Sequence, residues 1–337
     1  MKIKKIILII IAILIIGIIG TLLLKTGENK NKDDGKLQIV ASNFASYDFL
    51  RAIIGDNKNV ELTFLLGPGK DSHSYDPTVQ DLIKIQNADL FVYVGGEMEK
   101  WADKVINTVD KNNTKIICIA DNVEKIEEQE IDGAEAEHEV DAEEGEKEHH
   151  EHNNENDEEG AFDEHIWTSP SNAIKMVIAL EKMLEELDRE NAKLYKENSE
   201  KYISQIKDVD KKIQEIVDNK VRNRLVFADK MPMQYFINYY NLQVTAAFSG
   251  CSTETEPSAS TIAYIERKVK EEKIPIILYI ELNNGQVAKT IANDIGNETT
   301  AMQIQTIHNV SLDDFKNGES WVSLMNRNLE VLKKALQ

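Results

Sequence analysis

Residues 171–219 contain neither glycine nor proline, the two residues that most often end a helix. Apolar residues recur through this stretch at spacings of three, four and seven, which predicts a helix with one buried face. At about 1.5 Å per residue, one continuous helix would be on the order of 70 Å long, more than a single domain needs. Taken alone, the stretch is typical of a coiled-coil segment.

Short β-rich runs alternate with helical patterns on both sides of this stretch. Before it, strands are predicted at 37–41, 60–66, 90–94 and 115–120, and helices at 47–54, 79–85 and 101–109. After it, strands are predicted at 225–228, 243–248, 276–281 and 302–307, and helices at 233–240, 258–272 and 285–295. This alternation predicts the α/β class, with parallel sheets covered by helices and ligands bound beyond the carboxyl ends of the strands.

The chain has 337 residues, which favours two domains over one. It begins with an apolar run at 6–24 that follows Lys2, Lys4 and Lys5, and this pattern predicts export with the lysines left inside the cell. No small-residue cleavage site is evident, so we expect an uncleaved membrane anchor, with a cleaved signal peptide as the alternative.

The net charge of −20 is concentrated in one segment. Residues 121–164 contain 21 acidic residues and two lysines, and the rest of the chain is almost neutral. The segment 121–160 has almost no apolar periodicity, which predicts a disordered insert. Four histidines lie within it: His138, His149, His150 and His152. Histidine among glutamates favours a loop that gathers metal weakly, and a plain charged linker is the alternative. The chain lacks a basic stripe, so nucleic acid is not an expected partner.

The other three histidines stand apart. His73 follows the predicted strand 60–66, His308 follows the strand 302–307, and His165 lies where the acidic segment gives way to a helical pattern. If the fold brings these element ends together, three imidazoles meet, and imidazole is the commonest side-chain ligand of zinc. The sequence therefore predicts a metal site.

Four runs, in order, carry a resemblance to a known family. They are Gly-Lys-Asp-Ser-His-Ser-Tyr-Asp-Pro-Thr at 69–78, Asn-Ala-Asp-Leu at 87–90, Gly-Gly-Glu-Met-Glu-Lys-Trp at 95–101, and, after the His-rich insert, Asp-Glu-His-Ile-Trp-Thr-Ser-Pro at 163–170. From residue 37 to the end, the chain resembles the solute-binding proteins of zinc and manganese ABC importers. The resemblance implies two βα lobes joined by one long helix, broken near 188–191, and a divalent ion in the cleft between the lobes.

The expected domains follow from these patterns together. They are a signal or anchor (1–24), a tether (25–36), a first lobe (37–170) that carries the insert, a linking backbone helix (171–220) and a second lobe (221–337).

The resemblance implies His73 and His165 as ligands, with Asp163 and Glu164 as acceptors that could orient His165. The second lobe departs from the family pattern, because Lys230 stands where a ligating histidine is usual. We expect His308 to compensate. For the fourth ligand Glu281 is preferred to Asp229, and Lys230 is either a partner of a carboxylate at the site or a solvent-facing residue.

Three imidazoles and one carboxylate favour tetrahedral Zn²⁺, whereas Mn²⁺, the alternative, prefers more oxygen ligands. Four protein ligands would leave no place for an activated water, so no enzymatic activity is expected. The expected partners are the divalent ion and an ABC permease, and the protein is expected to be a monomer. A cell-surface metal buffer or adhesion protein and a zinc-dependent hydrolase are the alternative functions.

The remaining candidates have structural roles in this interpretation. Glu254 and Glu256 precede a helix, where acidic residues stabilise the first turn. Cys118 is expected in a strand core and Cys251 in a loop of the other lobe, and their pairing is left open.

Overall fold

The computed structural model describes residues 35–129, 131–133, 162–250, 256–296 and 299–337. The predicted membrane anchor, the four histidines of the insert, Glu254 and Cys251 lie outside the described residues. Within the part of the chain that is described, no helix is both long and apolar enough to cross a bilayer.

The first lobe is a four-stranded parallel sheet with the strand order β2-β1-β3-β4. Its elements, in chain order, are β1 (Leu37–Ala41), α1 (Phe44–Ile54), β2 (Val60–Phe64), α2 (Val79–Asn87), β3 (Leu90–Tyr93), α3 (Lys100–Ile106) and β4 (Lys115–Cys118). Local chemistry starts the helices: Asn43 accepts a hydrogen bond from Ser46 N at the start of α1, and Thr78 with Asp81 forms a capping box at α2.

The connection between the lobes differs from the single rod that the glycine- and proline-free stretch suggests. It contains α4 (Pro170–Leu187), a 3₁₀ turn (Arg189–Asn191) and α5 (Ala192–Asp218). Ser199 on α5 contacts Glu181 on α4, and the turn lies midway between these two residues in the sequence. The chain therefore reverses direction at the turn. The linker is therefore a helical hairpin, and α5 alone, about 40 Å long, is the long helix that joins the lobes.

The second lobe repeats the architecture of the first, with the parallel strand order β6-β5-β7-β8. Its elements are β5 (Arg224–Lys230), α6 (Gln234–Tyr239), β6 (Gln243–Phe248), α7 (Ala259–Glu272), β7 (Ile276–Ile280), α8 (Gln286–Ile295), β8 (Thr300–Ile304), α9 (Leu312–Lys316) and α10 (Trp321–Leu336). The α/β class and the two-lobe arrangement predicted from the sequence are confirmed.

One apolar core runs through both lobes and the helices between them, while two smaller clusters lie around Val226 and Val40. One buried carboxylate joins these parts. The buried Asp48 carboxylate on α1 accepts hydrogen bonds from Tyr202 on α5 (2.5 Å), from the backbone N–H of Trp321 on α10 (2.7 Å) and from Arg51 (2.5 Å). The Asp48 carboxylate thus connects the first lobe, the long helix and the last helix, which favours a rigid connection among them.

Candidate metal centre

Three histidines from distant parts of the chain meet at the cleft. His73, His165 and His308 each present a ring nitrogen, and these atoms all lie within 4.8 Å of one another. The ring centroids are 4.9 to 5.6 Å apart. The structure thus brings together the three imidazoles that the sequence singled out.

His73 lies in the long connection from β2 to α2. Its backbone N–H donates to Asp71 Oδ1 (2.9 Å), which fixes the turn that carries the ring. Gly69, with φ +76°, lets the same connection turn towards the second lobe, where its N–H donates to Val310 O (2.8 Å).

His165 is fully buried just before the 3₁₀ turn Ile166–Thr168. Asp163 Oδ1 accepts from its backbone N–H (2.8 Å) and contacts its Nδ1 (3.2 Å). Glu164, the other predicted acceptor, points elsewhere: its carboxylate accepts from Met98 N (2.7 Å). Asp163 alone therefore has the predicted orienting contact with His165.

His308 follows β8 and is 9% exposed. Its Nε2 is 2.5 Å from Ser72 Oγ, so the histidine loops of the two lobes touch. Asn309 reinforces this contact by donating to Gly67 O (3.0 Å) and Lys70 O (2.5 Å). The preceding residue, Ile307, is buried with φ +61°, a conformation that is unfavourable for a β-branched side chain.

Trp167 joins the histidines to the second lobe. Its indole N–H donates to Thr306 O (3.1 Å), and its ring packs against His165 and His308, with centroids 5.5 and 6.4 Å away. Its own carbonyl accepts from the indole of Trp321 (2.9 Å). The tryptophan therefore closes one side of the cluster to water.

Glu281, predicted as the fourth ligand, lies directly after β7 and is buried. Its carboxylate accepts from Thr306 N (2.7 Å), Thr306 Oγ1 (2.8 Å) and His308 N (2.8 Å). Asp229, the alternative, accepts from Lys230 N (2.8 Å), Ile280 N (3.2 Å) and Asn283 Nδ2 (2.8 Å). Both carboxylates are held by hydrogen bonds, and Glu281 braces the loop that carries His308.

Lys230 is 9% exposed, and its Nζ lies 3.7 Å from Asp71 Oδ2. Of the two roles open to it from the sequence, pairing with a carboxylate at the site is the one observed. Because Asp71 belongs to the His73 loop, the pair also crosses between the lobes.

The electrostatics of the cluster favour neutral imidazole at two positions. The pKa of His73 is lowered to about 4, mainly by burial. Positive charge on His165 and Lys230 lowers it as well, while the Asp71 carboxylate acts in the opposite direction. Burial likewise lowers the pKa of His308 well below 6.5, again with cationic neighbours. For His165, burial is the largest single effect and acts in the same direction, but the carboxylates of Asp163, Glu164 and Glu128 together outweigh it and raise the pKa above 6.5. A neutral imidazole has a lone pair for a metal.

The beginning of the acidic insert lies across both lobes, unlike the disorder predicted for 121–160. Ile126 N donates to Tyr235 OH (3.2 Å) on α6, and its carbonyl accepts from Asp163 N (2.9 Å). Further on, Asp132 forms a parallel bridge with Thr245 on β6 and an ion pair with Arg224 (3.1 Å). A count of acidic residues could not reveal these anchors, since each depends on a partner elsewhere in the fold, namely Asp163 in the first lobe and Tyr235, Thr245 and Arg224 in the second.

Two lobes of identical strand order, closed on a cleft that is lined with histidines from distant segments, define a two-lobe binding-protein architecture. Comparison with known families agrees with this. Residues 39–335 match the family described as zinc-uptake complex component A, periplasmic, and the chain belongs to that family.

Individual relatives are more distant. The chain is 30% identical over 321 residues to the zinc-binding lipoprotein AdcA of Streptococcus pneumoniae, covering 95% of this chain and 60% of that protein. It is 28% identical over 310 residues to the high-affinity zinc uptake system protein ZnuA of Bacillus subtilis, covering 92% and 90%. The Zn(II)-bound ZnuA-like domain of S. pneumoniae AdcA superposes with a TM-score of 0.69 at 27% identity, covering 90% of this chain and 99% of that domain.

Proposed function

We propose that this chain captures Zn²⁺ in the cleft between its lobes, with His73, His165 and His308 as ligands. One observation carries the proposal: the three donor atoms lie within 4.8 Å of one another, close enough to share one ion. In addition, the Nε2 atoms of His73 and His165 are buried and have no hydrogen-bond partner among the described residues. A buried polar atom without a partner is costly, and a metal would satisfy it.

Zinc suits this donor set better than manganese. Three imidazole nitrogens in a compact buried cluster match a four-coordinate zinc site, whereas Mn²⁺ prefers more oxygen ligands and a higher coordination number. The Zn(II)-bound streptococcal domain supports the choice. Mn²⁺ remains the alternative cargo.

The fourth ligand stays a prediction. Glu281 is still preferred to Asp229, because it already contacts the His308 loop through His308 N. Its two oxygens already accept three hydrogen bonds, so an ion that it binds would share an oxygen with Thr306 or His308.

We further propose that the chain works outside the cytoplasm, held at the membrane by its N-terminal segment, and delivers the ion to an ABC permease. Family membership supports this role. Release then requires the contacts between the loops to open, namely Ser72 with His308 and Asn309 with Gly67 and Lys70. The contacts of Asp48 with Tyr202 on α5 and Trp321 on α10 connect the two lobes, which favours movement of these loops over a wide hinge. A monomer suffices, since all proposed ligands come from one chain.

A zinc titration against a chelator of known affinity tests the proposal. The parent chain should hold one tight equivalent, and His73→Ala, His165→Ala and His308→Ala should each weaken it strongly, because each removes one bond to the metal. His138→Ala, in the insert, is the matched control and should leave the tight equivalent unchanged. If His308→Ala binds as tightly as the parent, the proposed site is wrong. A surface metal buffer would pass this test, and it is separated from the transport role by whether a permease in reconstituted vesicles takes up zinc from this chain.

A further inference from the structure

A cavity of about 860 Å³ opens beside the histidine cluster, far larger than a single ion requires. His308 lines it on the side of the cluster. Lys230, Asp71 and Glu281 also contribute to its wall, and Glu256 lies exposed where it opens. The space next to the proposed ion is therefore accessible to a small solute.

Lys230 gives this cavity a buried positive charge. Its charge acts on the rings of both His73 and His308, since it contributes to the low pKa of each. Its one ion pair among the described residues is with Asp71, whose carboxylate is 3.7 Å away, beyond hydrogen-bond distance, and whose side chain is 45% exposed. Its charge also acts on the neighbouring Asp229. The ammonium group therefore keeps donors free for another acceptor.

The Glu281 and Asp229 carboxylates of the second lobe already accept hydrogen bonds from the protein. Glu281 is held by Thr306 and His308, and Asp229 by Lys230 N, Ile280 N and Asn283. With three neutral imidazoles as ligands, a bound Zn²⁺ would keep its full charge beside the Lys230 ammonium group. Asp71 offsets part of this positive charge, but among the described residues no carboxylate lies within hydrogen-bond distance of the ammonium group, so a further negative group close to both cations would be attracted to them.

We propose that a small carboxylate from solution binds in this cavity, with one oxygen on Lys230 and the other completing the coordination of the metal. Lys230 stands where the family pattern has a ligating histidine. At this position, a site for an anion thus replaces a ligand supplied by the protein. Glu281 remains the protein's own candidate for that position when no external carboxylate is present. The inference rests on the proposed metal site, and it adds a second ligand to it.

Cobalt is a suitable probe, because its visible absorption in a nitrogen and oxygen site depends on the fourth ligand. The full-length chain, purified in non-ionic detergent without carboxylate or chloride, is loaded with one equivalent of Co²⁺ and titrated with acetate. We expect a saturable spectral change in the parent. Lys230→Gln should need at least about tenfold more acetate, the usual effect of losing one charge-assisted hydrogen bond. Lys230→Arg should respond nearly as the parent does.

Two further variants sharpen the test. Lys193→Gln removes an equal charge from an exposed position on α5, where Nζ lies 3.7 Å from Glu197 Oε1 and does not line the cavity, and should behave like the parent. Asp71→Asn should tighten acetate binding, because it removes the one ion pair that Lys230 forms among the described residues.

The outcomes separate the two proposals. Failure of the parent to bind one tight Co²⁺ would refute the metal site itself. Tight Co²⁺ binding with a spectrum that acetate does not change would refute the anion site alone. In that case, a changed spectrum in Glu281→Gln would identify Glu281 as the fourth ligand. An acetate response that Lys230→Gln and Lys193→Gln weaken equally would also refute the role of Lys230.

Discussion

Asp163 Oδ1 faces both the backbone N–H and the ring Nδ1 of His165, at 2.8 and 3.2 Å. Since an ionised carboxylate only accepts hydrogen bonds, Nδ1 must carry the hydrogen, which leaves Nε2 as the atom for a metal. The same contact fixes the ring orientation and makes the imidazole a stronger donor. Asp163 therefore prepares the ring of His165, which is proposed as a metal ligand, without itself being proposed as one.

We expect Asp163→Asn to weaken zinc binding by about 10–100-fold, the usual cost of losing such an orienting partner. The amide keeps the shape of the side chain but lacks the charge that favours an Nδ1 proton. Asp188→Asn is the matched control, because Asp188 accepts from Tyr195 (2.6 Å) far from the cleft. Chelator competition measures both. Equal zinc affinity in Asp163→Asn and the parent would contradict the role of Asp163.

Acidification should weaken zinc capture chiefly through His165. The pKa of His165 lies above 6.5. At pH 6.5 and below, Nε2 therefore carries a proton that the metal must displace. His73, with a pKa of about 4, and His308, with a pKa well below 6.5, stay neutral there and release no proton. At about pH 6 we expect close to one proton per zinc, and an affinity that falls about tenfold per pH unit.

Binding calorimetry in buffers of different ionisation enthalpy counts these protons. The insert histidines are removed from the count by titrating only the first, tight equivalent. Release of about three protons at pH 6 would show that all three imidazoles are protonated in the metal-free protein, and it would contradict the low pKa values of His73 and His308.

Substitutions at two glycines compare the cost of backbone strain with the cost of steric overlap. Gly96 and Gly318 have φ of +79° and +73°, but a Cβ on Gly96 would overlap the Glu164 carboxylate, whereas one on Gly318 meets no heavy atom within 4 Å. Gly318→Ala should therefore cost about 1–2 kcal/mol of unfolding free energy from the left-handed backbone alone. Gly96→Ala should cost roughly 1–3 kcal/mol more, because of the overlap and because φ +79° with ψ −168° is a conformation that few residues other than glycine adopt. Denaturant unfolding of the metal-free proteins measures both, and equal losses would contradict the tight fit at Glu164.

Deleting residues 134–160 should leave the tight zinc equivalent intact and remove weaker ones, because the four insert histidines go while Asp132 keeps its contacts with Arg224 and Thr245. Elemental analysis after dialysis against graded chelator counts the equivalents. Replacing the same histidines by glutamine in the full chain is the control for the deletion. Loss of the tight equivalent in both would show that the insert supplies a principal ligand.

Most of the fold was predictable because parallel strands and their helices leave local patterns in the sequence. Strands β1 and β6 have their predicted bounds, and the position of the break at 189–191 was also expected. The reversal at that break was not, since a helical hairpin and a straight rod share one apolar periodicity. Only the packing of α4 against α5 distinguishes them.

At the site, the three histidines were predictable because each stands at an element end, where side chains from distant segments converge. Ser72 beside His308, the strained Ile307 and the interlobe bond of Trp167 left no such signal. Their roles arise from contacts between residues more than a hundred positions apart, or from a backbone conformation that the sequence does not show. The identity of the fourth ligand depends in the same way on hydrogen bonds that compete for Glu281.

X-ray absorption at the zinc edge tests the central claim most directly. The chain lacking residues 134–160, loaded with one equivalent of Zn²⁺, should show three imidazole nitrogens at about 2.0–2.1 Å and one further light ligand. His308→Ala should reduce the imidazole count to two. A parent spectrum with one imidazole or none, or an unchanged count in His308→Ala, would contradict a zinc site built from His73, His165 and His308.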